Sequence, residues 1–349
     1  MSNNNNTAEV LVARDGVYPV VPLKKDDITI VSVQSRVVPV DENDAERMKR
    51  DNLLHMLDLI DAAATWMGPK DLIQFHEFPI TGFSFKWTRE DLLKVAIEIP
   101  GVETQAIGER AKRYGTYIVF GSYAKDPNWP DHILSITTII GPDGNIIDKH
   151  WKPRNIKGVF AGFEVITTTI YDVLDEFVEM YGRDAVIPVT RTDIGNLATT
   201  ATQYEPELIR AYALKGAEIM LRSATSGADP IDVRAGAMHN NMYTTLVNNS
   251  ISRNPGPFFE DVRSGGSAIY GPDGKVIDKA NSVNETGVIA KIPIAKFREG
   301  RRLPRIHPSL YGDLYSAYQE AYPPNLMTSE LPNDGFSAAK FLKDKNCWG

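Results

Sequence analysis

A carboxylate, an ammonium and a pair of hydroxyls stand where this chain passes from strand to loop. Glu77 follows the apolar run Leu72, Ile73 and Phe75. A carboxyl group buried in such surroundings has its pKa raised toward that of a working general base. An acid turned out to solvent at a strand end fits the same spacing, so the residues alone leave both readings open. Lys152 closes Lys149-His150-Trp151-Lys152 at the end of an apolar hairpin. A fixed ammonium there can stabilise a developing oxyanion, although lysines at strand ends are usually solvated. The hydroxyls belong to Thr200 and Thr202, in the stretch 193–222, DIGNLATTATQYEPELIRAYALKGAEIMLR.

That stretch reads as strand, tight turn, amphipathic helix, strand. Ile194, Leu197 and the β-branched run Thr199, Thr200 and Thr202 favour an extended segment. Pro206 suits a first helical turn flanked by Glu205 and Glu207, and Leu208, Ile209, Ala211, Tyr212 and Leu214 recur at helical spacing. Gly216 ends the helix before Glu218-Ile219-Met220-Leu221. A strand-to-helix elbow is where α/β folds place nucleophiles and ligands, and this one offers only hydroxyls. The single cysteine, Cys347, lies near the C-terminus. It excludes an intrachain disulfide, suits a reducing compartment and is a poor candidate for a nucleophile.

The rest of the chain supplies the frame. Residues 28–38 read as a buried strand and Asp44 to Trp66 as a long amphipathic helix stopped by Gly68-Pro69. Two helical stretches surround Pro100-Gly101, and Tyr117 to Gly121 is a strand. ILSITTII, the turn Gly141-Pro142-Asp143-Gly144 and NIIDKHWK form a hairpin. The pattern returns as SAIY, Gly271-Pro272-Asp273-Gly274 and KVIDK, which points to two similar halves, each with helices on a sheet. Residues 170–183 read as an amphipathic helical insert and 230–242 as a helix leading to the strand Tyr243 to Asn249.

The elbow resembles that of the nitrilase, or carbon–nitrogen hydrolase, superfamily. Gly195 to Ala201 matches its strand, with Ala198 in place of a glycine, and Pro206-Glu207 and Gly216-Ala217-Glu218 match its helix. Phe75-His76-Glu77 is similar to the segment that carries the family's catalytic glutamate, and Lys152 to its catalytic lysine, with Trp151 replacing an arginine. Ile99-Pro100-Gly101 and Lys215-Gly216-Ala217-Glu218 place the likeness nearest the aliphatic amidase and formamidase branch. The resemblance implies an α/β four-layer α-β-β-α sandwich, two mixed sheets with helices outside, in agreement with the duplicated hairpins. It implies Glu77 as general base, Lys152 as oxyanion stabiliser and a nucleophile at Thr202, counted from Gly195, or at Thr200, counted from Glu207, where the family has cysteine. Glu164 is the nearest match to a second, substrate-holding glutamate. Trp151, Tyr204 and Ser223, the last opening the loop Ser223-Ala224-Thr225-Ser226-Gly227, are expected around the substrate.

With 349 residues, 42% of them hydrophobic, and a formal charge of −7, the chain has no basic field for nucleic acid. No apolar run approaches a membrane span and no signal peptide opens it, so a cytoplasmic protein is expected. No metal-ligand spacing, phosphate-binding glycine loop or nucleotide fingerprint is present, and neither metal nor cofactor is expected. The expected organisation is a loosely ordered segment 1–26, a carbon–nitrogen hydrolase-like domain 27–295, and an extension 296–349 packed on a neighbouring subunit of a homo-oligomer. Three functional readings compete. One is hydrolysis of a small amide-like or nitrile-like substrate by a threonine or a water activated by Glu77. Another is a catalytically inactive protein that binds a ligand or partner. The third is an amidase whose nucleophile was replaced by design, for which Ala201 lies in the right turn.

Overall fold

The structure is a computed structural model describing residues 15–36, 38–66, 68–158, 160, 162–225, 227–251 and 264–348. Residues 1–14 of the segment expected to be loosely ordered, and Ser226 of the loop after Ser223, lie outside the described residues. The chain runs through β1 (Ile28–Gln34), α1 (Ala45–Thr65), β2 (Leu72–Gln74), α2 (Arg89–Val95), β3 (Ile97–Glu98), α3 (Val102–Tyr114) and β4 (Tyr117–Asp126). The hairpin β5 (Trp129–Ile140) and β6 (Ile146–Trp151) follows, then α4 (Leu174–Tyr181) and β7 (Thr190–Thr192). The elbow region comprises β8 (Gly195–Thr200), α5 (Pro206–Leu214) and β9 (Ile219–Ser223). Then come α6 (Pro230–Asn240), β10 (Tyr243–Val247), β11 (Ala268–Tyr270), β12 (Val276–Lys279), β13 (Thr286–Ile292), α7 (Ile294–Gly300), α8 (Pro308–Ala317) and α9 (Gly335–Lys345).

Strand alternation builds the layers. The first sheet has the order β13-β1-β2-β4-β5-β6, with β3 on β4, and the second β12-β11-β10-β9-β8-β7; both mix parallel and antiparallel pairs. Ile28, Ile30, Leu72, Val119 and Ile139 of the first sheet meet Leu197, Ile219, Leu221 and Ile269 of the second. Their neighbours along the strands, among them Val31, Ile73, Ile118 and Phe120, turn the other way onto Met56, Leu57, Ile60 and Ile107 of α1 and α3. Ala198 and Met220 pack on Ile209 and Ala213 of α5, and Leu246 and Ala268 on Val233 and Ala237 of α6. The inner strands such as β2, β8, β9 and β10 therefore bury both faces, and each fully buried Ile or Leu stabilises the fold by about 1.5–3 kcal/mol. The result is the four-layer α-β-β-α sandwich. The two Gly-Pro-Asp-Gly turns close alike, with Gly144 N to Gly141 O and Gly274 N to Gly271 O both at 2.9 Å.

Buried ion pairs fasten the periphery to this core. Glu218, fully buried at the start of β9, accepts from Arg298 Nε and Nη2 at 2.8 and 2.7 Å, from Tyr18 Oη at 2.8 Å and from Asn196 N at 2.8 Å. It thereby anchors α7 and the described part of the N-terminal segment beneath β8. In the extension, Met327, Ala338, Phe341 and Leu342 are buried against their own chain. The buried Arg89 guanidinium holds Pro332 O, Ile166 O and Asp131 O together. By contrast, α8 buries no residue and exposes Leu310, Leu314 and Tyr315. Among the described residues no helix is long and apolar enough to cross a membrane.

Candidate active site

Glu77 is delivered by the extended segment that continues β2. Phe75 N bonds Val119 O at 2.8 Å and Gly121 N bonds His76 O at 3.1 Å, so the segment stays alongside β4. Gly121 is required by closeness: a Cβ there would lie 2.3 Å from the Glu77 carbonyl oxygen. His76 is fully buried, its Nδ1 accepts from Phe78 N at 3.2 Å, and burial pushes its imidazole down to about 3, which keeps it neutral. Lys152 leaves the end of β6, with its N bonded to Ser135 O at 2.8 Å and its carbonyl accepting from Ile170 N at 3.1 Å. Its Nζ reaches Glu77 Oε1 at 3.0 Å, and the two side chains are 17% and 11% exposed. A charge-assisted bond between two nearly enclosed charges is the strong kind. The acid and the ammonium, far apart in sequence, are brought together.

The elbow spans Ala201 to Glu205 between β8 and α5. Thr200 Oγ1 accepts from Thr202 N at 3.0 Å, and Thr202 Oγ1 donates to Arg154 O at 3.3 Å, close behind Lys152. Both hydroxyls are buried and engaged by backbone. Tyr204 has φ of +56°, a left-handed conformation that strains a bulky residue, and its ring is exposed. Two arginines brace the turn. Arg154 pairs with Glu205 and donates to Gln203 O, while the buried Arg222 donates from Nη2 to Thr202 O at 2.7 Å and pairs with Asp232 at 2.9 Å. Ser223 is buried at the end of β9.

The remaining candidates lie elsewhere. Trp151 points to the opposite face of β6 from Lys152 and packs edge-on against Trp129 and Phe177, each at 5.2 Å, so it belongs to the core beneath α4. Glu164 lies in the loop after Lys152, where its Oε1 accepts from Gly158 N at 2.6 Å and its N bonds Gly335 O at 2.8 Å. Burial pushes its carboxyl up to about 7, against the pull of the Gly158 N–H and Lys157. Glu164 lines a cavity of about 20 Å³, room for a single water, with Phe83, Phe85, Trp87, Tyr123 and Phe163. Tyr123 connects this cavity to the catalytic candidates: burial and the nearby Glu77 carboxylate hold its phenol well above the ordinary range. A larger cleft of about 530 Å³ opens outside the elbow between Arg154, Glu205, Leu208, Tyr171 and Tyr322.

Sequence reasoning missed three polar groups around the elbow: Arg154, Arg222 and His150. Arg154 carried a weak signal, being so near Lys152; a lone Arg at the end of a buried strand, as Arg222 is, was another. His150 Nδ1 lies 3.0 Å from Thr199 Oγ1, a contact between sheets.

The chain combines two facing sheets, an acid–lysine pair and a strand-to-helix elbow, and the family model described as carbon-nitrogen hydrolase matches residues 43–302. The chain belongs to that family. Among its relatives is the omega-amidase NIT2 of Danio rerio, 27% identical over 283 residues that make up 77% of this chain and 92% of that protein. The formamidase of Helicobacter acinonychis is 26% identical over 192 residues, 51% of this chain and 50% of its own length. Two solved structures share the fold. Saccharomyces cerevisiae Nit3, a nitrilase superfamily member, superposes with a TM-score of 0.57 and 19% identity, covering 86% of this chain and 99% of that one. The amidase from Nesterenkonia sp. AN1 superposes with a TM-score of 0.56 and 18% identity, covering 84% of this chain and 98% of that one.

Proposed function

We propose that the protein hydrolyses the C–N bond of a small amide. Glu77 is the general base, Lys152 holds the oxyanion, and a threonine hydroxyl or a water activated by Glu77 serves where the family uses cysteine. The observation that carries this reading is the 3.0 Å Glu77–Lys152 contact in a nearly enclosed setting. Desolvating both charges costs several kcal/mol per ion, and unlike the Glu218–Arg298 pair, which anchors α7, this pair stands two residues from the Arg154 carbonyl that holds Thr202 of the elbow. Proton transfer by the carboxylate supplies about 10²–10⁴-fold in rate, and the ammonium opposes charge building on the carbonyl oxygen. The cleft beside Arg154 and Glu205 is the approach we assign to substrate, since Arg154 lies two residues from Lys152.

Ligand binding without turnover is the second reading, and one feature favours it: both hydroxyls bond backbone, Thr202 Oγ1 donating to Arg154 O and Thr200 Oγ1 accepting from Thr202 N. A panel of small amides, nitriles, hydrazides and ureas separates the two. Turnover lost in Glu77→Gln and in either Thr200→Ala or Thr202→Ala establishes a hydroxyl nucleophile. Turnover that needs Glu77 but survives both threonine changes means activated water. No turnover, with activity gained by Thr200→Cys, Ala201→Cys or Thr202→Cys, means an intact pocket without a nucleophile and defeats the hydrolase reading. The exposed apolar side of α8 is the surface through which we expect a second copy to bind.

A further inference from the structure

Lys152 leaves an edge strand, and the opposite sheet holds that strand in place. β6 is the last strand of its sheet, with β5 on one side and no strand on the other among the described residues. Edge strands lack the second ladder that fixes an inner strand. On β6, His150 lies opposite Thr137 and Trp151 opposite Ile136. Alternation therefore puts His150 and Lys152 on the inter-sheet face, with His150 one side-chain row below Lys152.

His150 crosses to the second sheet, meeting its edge strand β7 and the neighbouring strand β8. Its Nδ1 is 3.0 Å from Thr199 Oγ1 on β8, and its Nε2 is 2.8 Å from Thr190 Oγ1 on β7 and 3.2 Å from Asp148 Oδ2. Thr190 gives its own hydroxyl proton to Asp148 Oδ2 at 2.5 Å. Both neighbours of Nε2 therefore accept, so Nε2 carries a hydrogen, assigned from this network. In that tautomer Nδ1 accepts from the Thr199 hydroxyl. His150 and Thr199 are 1% and 2% exposed. Thr199 directly precedes Thr200, the last residue of β8 before the elbow.

We propose that His150 is a positioning residue: its bond to Thr199 clasps the free edge of the first sheet to the strand leading into the elbow, and so keeps the Lys152 ammonium on Glu77. The kinetic consequence rests on the hydrolase reading; the structural one does not. Without the clasp the end of β6 regains the freedom of an edge strand, and a displacement of ~1 Å at a catalytic group costs about a hundredfold in rate. Loss of a merely structural hydrogen bond would lower stability and leave the geometry of Lys152 in the folded enzyme unchanged.

The test compares Thr199→Val, which keeps the shape without the hydroxyl, with Thr199→Ser, which keeps the hydroxyl. Acetic anhydride labelling of Lys152, read by mass spectrometry on folded protein, reports the ammonium without requiring activity. The expected result is slow labelling in wild type and Thr199→Ser and at least about fivefold faster labelling in Thr199→Val. On any amide turned over, kcat falls by roughly ten- to a hundredfold with KM nearly constant. His150→Phe, which fills the ring volume without its nitrogens, gives the same comparison if Thr199→Val does not fold. Unchanged Lys152 labelling in a folded variant overturns the clasp. Absence of turnover in wild type defeats the hydrolase reading instead, and the labelling comparison still decides the clasp.

Discussion

Replacing Glu77 by glutamine separates catalysis from architecture at this site. The amide oxygen can still accept from Lys152 Nζ, now 3.0 Å from Oε1, but no basic oxygen remains. If Glu77 is the base, the change removes about 10²–10⁴-fold from kcat, or ~2.7–5.4 kcal/mol at ~1.36 kcal/mol per tenfold. The structural cost is smaller. An ion pair becomes an ammonium-to-amide hydrogen bond between side chains that are 11% and 17% exposed, a loss of about 1–2 kcal/mol. For a chain of this size that lowers Tm by only a few degrees, too little to depopulate the folded state at 25 °C. Steady-state kinetics on the best amide of the panel, beside a thermal melt, measures both. A kcat within about fivefold of wild type would refute Glu77 as the base, as would a loss of activity that merely tracks a loss of folded protein.

Other perturbations test the surrounding framework. Gly121→Ala puts a Cβ 2.3 Å from the Glu77 carbonyl oxygen, so the Glu77 backbone must shift; kcat should fall at least tenfold while circular dichroism stays near wild type. Glu218→Ala strips the buried partner from Arg298 together with the bonds from Tyr18 and Asn196. It should cost about 3–5 kcal/mol in a urea titration, and a loss below ~1 kcal/mol would contradict the anchoring role. Burial holds the Glu164 carboxyl up at about 7, above its unfolded value. The folded state therefore resists ionisation, and its relative stability is highest below about pH 4.5 and falls as pH rises toward 7. Glu164→Gln should remove that slope, so its Tm should gain on wild type between pH 5 and 8; parallel curves would show that Glu164 ionises freely. Leu310→Glu with Leu314→Glu should shift any oligomer toward monomer in analytical ultracentrifugation, since both leucines lie exposed on α8.

Much of the fold was legible because it is written locally. The long helix ended by Gly68-Pro69, the two Gly-Pro-Asp-Gly hairpins and the proline-started helix after the elbow each depend on neighbours a few residues away. The duplicated hairpin also announced two sheets. Glu77 and Lys152 were legible as candidates through the resemblance of their segments to the family's; by spacing alone each fitted a solvated strand end as well. The orientation of Trp151 could have been read too: adjacent residues on a strand face opposite ways, so Trp151 and Lys152 cannot both look into one site.

The sequence by itself determined the elements, the layered class and the two residue types able to run acid–base chemistry. Only the tertiary structure decided that Glu77 meets Lys152, that Arg154 and Arg222 brace the elbow, and that Thr199 belongs to His150. Periodicity specifies which face of a strand is apolar, and that suffices to stack two sheets. It does not specify which polar side chains end up opposite one another across the stack. Those pairings depend on strand order, register and the offset between sheets, quantities set by the whole packed core rather than by any short stretch of chain.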